Sequence, residues 1–140
     1  MSFKATVAFS QYRNMGLQGV VEQASRHELV RMLMDGGLDR IAAARGQMQR
    51  GDNAAKGASI GRAIGIIDGL RASLDADSGG DIAANLDRLY DYMVRRLTLA
   101  NVNNDVEPLD EVQQLLAQIR DAWLEVGATA ADTAPAAVAV

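Results

Sequence analysis

The chain offers catalysis very little: one histidine, no cysteine and a scatter of arginines. His27 stands between Arg26 and Glu28, in what reads as the first turn of a helix. A phosphotransfer histidine would be mid-helix, exposed and near a lysine, so His27 reads as a solvated polar residue at a helix start. Bundles that hold paired metal ions need Glu-x-x-His motifs on facing helices, and one histidine cannot furnish two of them. The lack of cysteine rules out disulfides, thiolate metal sites and cysteine nucleophiles, and points to a reducing compartment. Arg71 and Arg96 fall within or beside apolar stripes, as a helical mutase acting on a small dianion would require. No third inward cation joins them, so their stems are expected to cover core edge while the guanidinium reaches water or a carboxylate. No metal, cofactor or catalytic residue is expected.

The elements that would position these residues are all helical. The apolar share is 49% but aromatics are only 4%, leaving Ala, Leu, Ile, Val and Met in surplus. Both prolines come late, at Pro108 and Pro135, so a long stretch before them is free to form helices. Ser25 and Glu28 have the spacing of a capping box. From there Leu29, Leu33, Ile41, Ala44 and Met48 recur at helical spacing, widened by Met32 and Leu38, up to Gly51. A second stripe runs through Ile60, Ile64, Ile67 and Leu74, with Ala63 and Leu70 beside it. Asp77-Ser78-Gly79-Gly80 reads as a turn, and Asp81 can cap a third helix with Ile82, Leu86, Leu89, Met93, Leu97 and Ala100 on its apolar side. Asn101 to Asp105 breaks that pattern. Asp105 caps a fourth helix, with Pro108 in its first turn and Leu109, Val112, Leu116, Ile119, Trp123 and Val126 facing inward, widened by Leu115.

Four amphipathic helices of about twenty residues joined by short turns make an all-α, antiparallel up-down-up-down bundle. The expected organisation is an N-terminal cap segment over residues 1–24, the four-helix bundle over 25–126 and a disordered Ala-rich tail over 127–140. No apolar run is long enough for an integral membrane segment. The opening residues lack the apolar core and cleavage site of a signal peptide, so the expected location is cytoplasmic. A net charge of −4 argues against nucleic acid as a partner, since that binding relies on Lys and Arg meeting phosphates. Gly57, Gly61, Gly65 and Gly69 recur every fourth residue, at a cost of up to about 1 kcal/mol each relative to alanine. They read as tolerated glycines on a helix held by its other face, and alternatively as a shallow track for a partner.

The most specific stretch is Leu89-Tyr90-Asp91-Tyr92-Met93-Val94-Arg95-Arg96-Leu97, followed by Ala100-Asn101 and Asn104-Asp105. With Gln11-Tyr12, Ser25 to Glu28 leading into Leu33-Met34, Ile66-Ile67-Asp68-Gly69-Leu70, and Arg120-Asp121-Ala122-Trp123 in the same order, it resembles the FliS family of flagellin export chaperones. The resemblance spans roughly residues 9 to 126. Helix 2 is richer in glycine than that family's pattern, and the segment from Tyr12 to Ser25 diverges from it.

The resemblance implies a cytosolic protein that binds the disordered C-terminal region of flagellin, prevents premature assembly and presents the cargo to the flagellar export gate. A regulator of export that binds a non-flagellin partner is the alternative, with the helical mutase a distant third. Whether the chain forms a homodimer is left open. Border tyrosines offer apolar area with a polar tip, Arg95 offers charge on the outer face and Arg96 beside the apolar stripe, so Tyr90, Tyr92, Arg95 and Arg96 are the partner-binding candidates on the third helix. Tyr12, Met15 and Leu17 join them from the lead-in, which is expected to lie over an apolar groove until cargo displaces it.

Overall fold

A computed structural model describes residues 20–74 and 76–132 of the chain. Four helices account for nearly all of them: α1 (Val20–Gln49), α2 (Asn53–Ala72), α3 (Ala76–Asn103) and α4 (Val106–Asp132). No strand occurs among the described residues. Each helix packs against its chain neighbours and α4 closes back on α1, so the four form a ring around one core.

Polar contacts show the directions. Arg26 near the start of α1 donates to the Ser73 carbonyl just past α2, at 3.1 Å. Arg71 at the end of α2 reaches Asp87 near the start of α3. Tyr92 and Arg96 in α3 meet Glu111 near the start of α4. Arg45 near the end of α1 pairs with Asp110, also near the start of α4. Successive helices therefore run antiparallel, as the short connections require.

The turns follow local chemistry. Gly51 takes a φ of +73° between α1 and α2, a conformation costly for any residue with a Cβ. Asp52 then caps α2 by accepting from the Ala55 amide. Gly80 (φ +55°, ψ −128°) breaks α3 after one opening turn, where the sequence placed a non-helical turn. Asp105 accepts from the Glu107 amide at 3.1 Å and starts α4, with Pro108 tolerated in the first turn.

The core is Ile41, Ile60, Ile67, Leu70, Met93, Leu97, Leu109, Val112 and Leu116, together with Met34, all at most 2% exposed. Each such side chain contributes about 1.5–3 kcal/mol on burial, which makes this ring the main source of stability. The stripes read from the sequence are the buried faces, with three corrections. Met32 is exposed and Met34 is buried in its place, because on the wheel Met32 lies roughly opposite the buried Val30, Ile41, Ala44 and Met48 face and Met34 falls beside it. Ile82 is 73% exposed, since it follows the Gly80 break at the lower end of the bundle. Val126 is 60% exposed, near the end of α4.

Helix boundaries move as well. α1 begins at Val20, five residues before Ser25, so Ser25 lies inside the helix and Glu28 bonds Arg31 instead of forming a capping box. α4 continues past Val126 to Asp132, taking in part of the expected tail, as its alanines permit. Residues 1–19 and 133–140 lie outside the described residues.

Small residues close the α1–α2 seam. A Cβ on Gly36 or Gly37 would stand 3.5 Å from Ile66, and one on Gly37 would also come within 3.1 Å of Leu116. By contrast, a Cβ on Gly61 or Gly65 would meet nothing within 4 Å. Gly61→Ala and Gly65→Ala should therefore each raise stability by up to about 1 kcal/mol. Gly127→Ala should lower it, because a Cβ there overlaps the His27 ring. Thermal melts by circular dichroism check both signs; a lower melting temperature for either α2 variant contradicts the reading of an unencumbered outer face.

Candidate functional site: the charged seams and the outer face of α3

The third helix divides into faces with distinct surroundings. Tyr90 is buried at 2% exposure within the core cluster. Burial pushes its hydroxyl up to about 12, so it stays neutral throughout the physiological range. This corrects the sequence expectation of a border tyrosine open to a partner. On the helical wheel Tyr90 sits at the flank, where a small rotation of α3 decides between core and water.

Tyr92 occupies the other flank and is half-buried. Its hydroxyl donates to Glu111 Oε2 at 2.8 Å, and Arg96 Nε donates to Oε1 of the same carboxylate at 2.7 Å. The Tyr92 hydroxyl first, and Arg96 next, hold the Glu111 carboxyl below the usual carboxylate range. The same bond raises the Tyr92 hydroxyl. Arg96 is thereby engaged at the α3–α4 seam, whereas Arg95, its side chain 68% exposed, pairs among the described residues only within its own helix, to Asp91 at 3.2 Å. Tyr12, Met15 and Leu17 lie outside the described residues, so the structure does not join them to the α3 candidates.

Arg71 closes the α2–α3 seam. Its Nε lies 2.7 Å from Asp87 and its Nη1 3.3 Å from Asp91. The hydrogen bond from Arg71 holds the Asp87 carboxyl low. Both arginines that a helical mutase would have turned inward thus reach carboxylates on neighbouring helices. Among the described residues no group of three His, Asp or Glu side chains could hold a metal ion, and no helix is long and apolar enough to cross a membrane.

Two nodes escaped the sequence reading. His27 is not a solvated residue at a frayed end. Its ring stacks on Trp123 at 4.6 Å between centroids and 12° between planes. Its Nε2 donates to the Trp123 carbonyl, and the Trp123 indole N–H donates to the His27 carbonyl, both at 3.0 Å. The partner is 96 residues away, so no local pattern could announce it. Lys56 is the second. It is buried near the start of α2, and its Nζ donates to the Asn101 carbonyl at 3.1 Å and to Asn104 Oδ1 at 3.0 Å. It satisfies the C-terminal end of α3 where Asn104 turns at φ +51°. Its one available signal was a lysine placed among alanines and glycines on an otherwise uncharged face.

A helical bundle whose polar groups are spent on joining helices, with an outward face of mixed arginine and apolar residues, has the make-up of a binding scaffold. A family model described as flagellar protein FliS matches residues 8–130. The chain is 49% identical over 119 residues to flagellar secretion chaperone FliSB of Pseudomonas aeruginosa, covering 85% of this chain and 94% of that protein. It is 45% identical over 116 residues to flagellar secretion chaperone FliS of Salmonella typhimurium, at 82% and 86% coverage. Identity to the FliS of Bacillus subtilis is 35% over 106 residues, at 76% and 78% coverage. The chain belongs to the FliS family of flagellar secretion chaperones.

The Glu111 node sets an acid-side prediction. A carboxyl held low in the folded state adds stability above its unfolded value, about 4.3, and loses that contribution as pH falls through the folded value. Glu111→Gln should therefore lower the melting temperature by a few degrees at pH 7, with the gap to the parent closing as the pH falls below about 4. Melts taken across that range check it; a gap independent of pH contradicts the ionic role.

Proposed function

We propose that the chain is a cytoplasmic, non-catalytic export chaperone for flagellin, which binds flagellin's disordered C-terminal region, prevents premature polymerisation and hands the cargo to the flagellar export gate. The match to the family over residues 8–130 carries this reading. The related proteins of Pseudomonas aeruginosa and Salmonella typhimurium are named as flagellar secretion chaperones, and coverage extends across most of both partners in each comparison.

The physical chemistry supports such a task. An export substrate must stay unfolded yet must not self-associate, so its apolar stripe has to be covered by something easily released. A bundle presents preformed helix faces to which an amphipathic segment can add its i, i+3, i+4 anchors, without the bundle paying an ordering cost of its own. The engagement of Arg71 and Arg96 by carboxylates leaves the α2–α3 and α3–α4 seams closed by protein groups. Of the candidates named from the sequence, Arg95 is the one that stands open on α3, and Tyr92 shows part of its ring beside it. Tyr90 would reach a partner only through a rearranged core.

Co-purification tests the reading. The chain should retain intact flagellin at about one copy per bundle and lose it when the C-terminal helix of flagellin is deleted. Equal retention of both forms would contradict the proposed cargo segment, and retention of neither would contradict the function.

A further inference from the structure

The outer face of α3 carries a composition that the bundle itself does not use. Among the described residues five large apolar side chains are exposed, and two of them, Leu99 (44%) and Val102 (75%), stand three apart on this helix. Arg95 lies one turn before Leu99, and Arg88 two turns before Arg95, both exposed. At 100° per residue these four fall within an arc of about 60°, directly opposite the Met93–Leu97 core face. They run along about 21 Å of helix. Among the described residues, no other helix covers Leu99 or Val102.

The charge of this strip is positive although the chain as a whole is negative. Asp91 is shared between Arg71, at 3.3 Å, and Arg95, at 3.2 Å, while Asp87 is taken up by Arg71. Arg88 has only Asn85 as a side-chain partner among the described residues, at 2.7 Å. Three arginines thus meet two aspartates, which leaves one cation in excess. Pairs within one helix at such exposure are worth only a few tenths of a kcal/mol and exchange readily for an incoming carboxylate.

We propose that the Arg88–Arg95–Leu99–Val102 strip is a docking surface for an amphipathic helix of the cargo, with the cargo's apolar stripe on Leu99 and Val102 and acidic residues on its flank meeting Arg88 and Arg95. This rests on the export-chaperone reading above and adds to it a place and a recognition chemistry. The occupant is set by charge complementarity: a basic or neutral helix would leave the excess cation unanswered, and a second copy of α3 would bring arginines against a strip already in positive excess. The paired arrangement also gives release a handle, because exposed charge pairs weaken with salt.

Binding of monomeric flagellin to the full chain and to two variants tests this, with the melting temperature of each variant as a fold control. Leu99→Glu with Val102→Glu should weaken binding by at least about tenfold. Arg88→Glu with Arg95→Glu should also weaken it and flatten its dependence on salt. Arg62→Glu, exposed on α2, should leave it unchanged. Parent-like binding by both double variants overturns the docking surface while leaving the chaperone reading intact. Failure of the parent chain to bind flagellin overturns both.

Discussion

Register in this bundle depends on arginine forks that cross the seams between helices. Hydrophobic burial is non-directional, and a ring of Leu, Ile, Val, Met and Ala with few aromatics could slide by a turn at modest cost. Arg71 on Asp87 and Asp91, Arg96 on Glu111, Arg45 on Asp110 and Arg120 on Asp35 each tie one helix to the next at a fixed height. Twelve of the fourteen cations in the chain are arginine. The planar guanidinium offers a rigid fork that lysine lacks, so it suits contacts whose value is geometric. These pairs are too exposed to supply much stability; the buried core does that.

The seam between α1 and α2 is built differently. No ion pair joins these two helices among the described residues. Gly36 and Gly37 let Ile66 approach closely, and polar closure comes from the Gln47–Ser59 contact at 2.7 Å and from Arg26 on the Ser73 carbonyl. At the far ends of the chain's order, His27 and Trp123 exchange two hydrogen bonds and stack, locking α1 to α4. Lys56 does the equivalent at the opposite end of the bundle by satisfying the end of α3. Among the described residues, the seams and both ends are closed in this way, and the outer faces stay open.

How much of this the sequence disclosed follows from the range of each interaction. Helical periodicity reports burial directly, so the inward positions of Ile41, Ile60, Met93, Leu97 and Leu116 were legible. Caps and turns are local, hence Gly51 and Asp105 were legible too. Periodicity says nothing about where a neighbouring helix stops, which is why Ile82 and Val126 were assigned to the core and stand in the open. Wheel position alone could not fix Tyr90, which lies at the flank, or reveal that Arg71 and Arg96 had carboxylates awaiting them on other helices. His27 with Trp123, and Lys56 with Asn104, are pairings between distant points of the chain that only the assembled bundle brings together.

The proposed cargo surface lies on the outside of a bundle that is already formed. Titrating a flagellin C-terminal peptide into the isotope-labelled chain and following its amide spectrum tests this most directly. Saturable shifts are expected at about one peptide per bundle, concentrated on the outward residues of α3 around Arg95 to Val102, with the amides of Tyr90, Met93, Ile41 and Leu116 staying in place. Loss of dispersion across those core amides, or shifts confined to other helices, would contradict it.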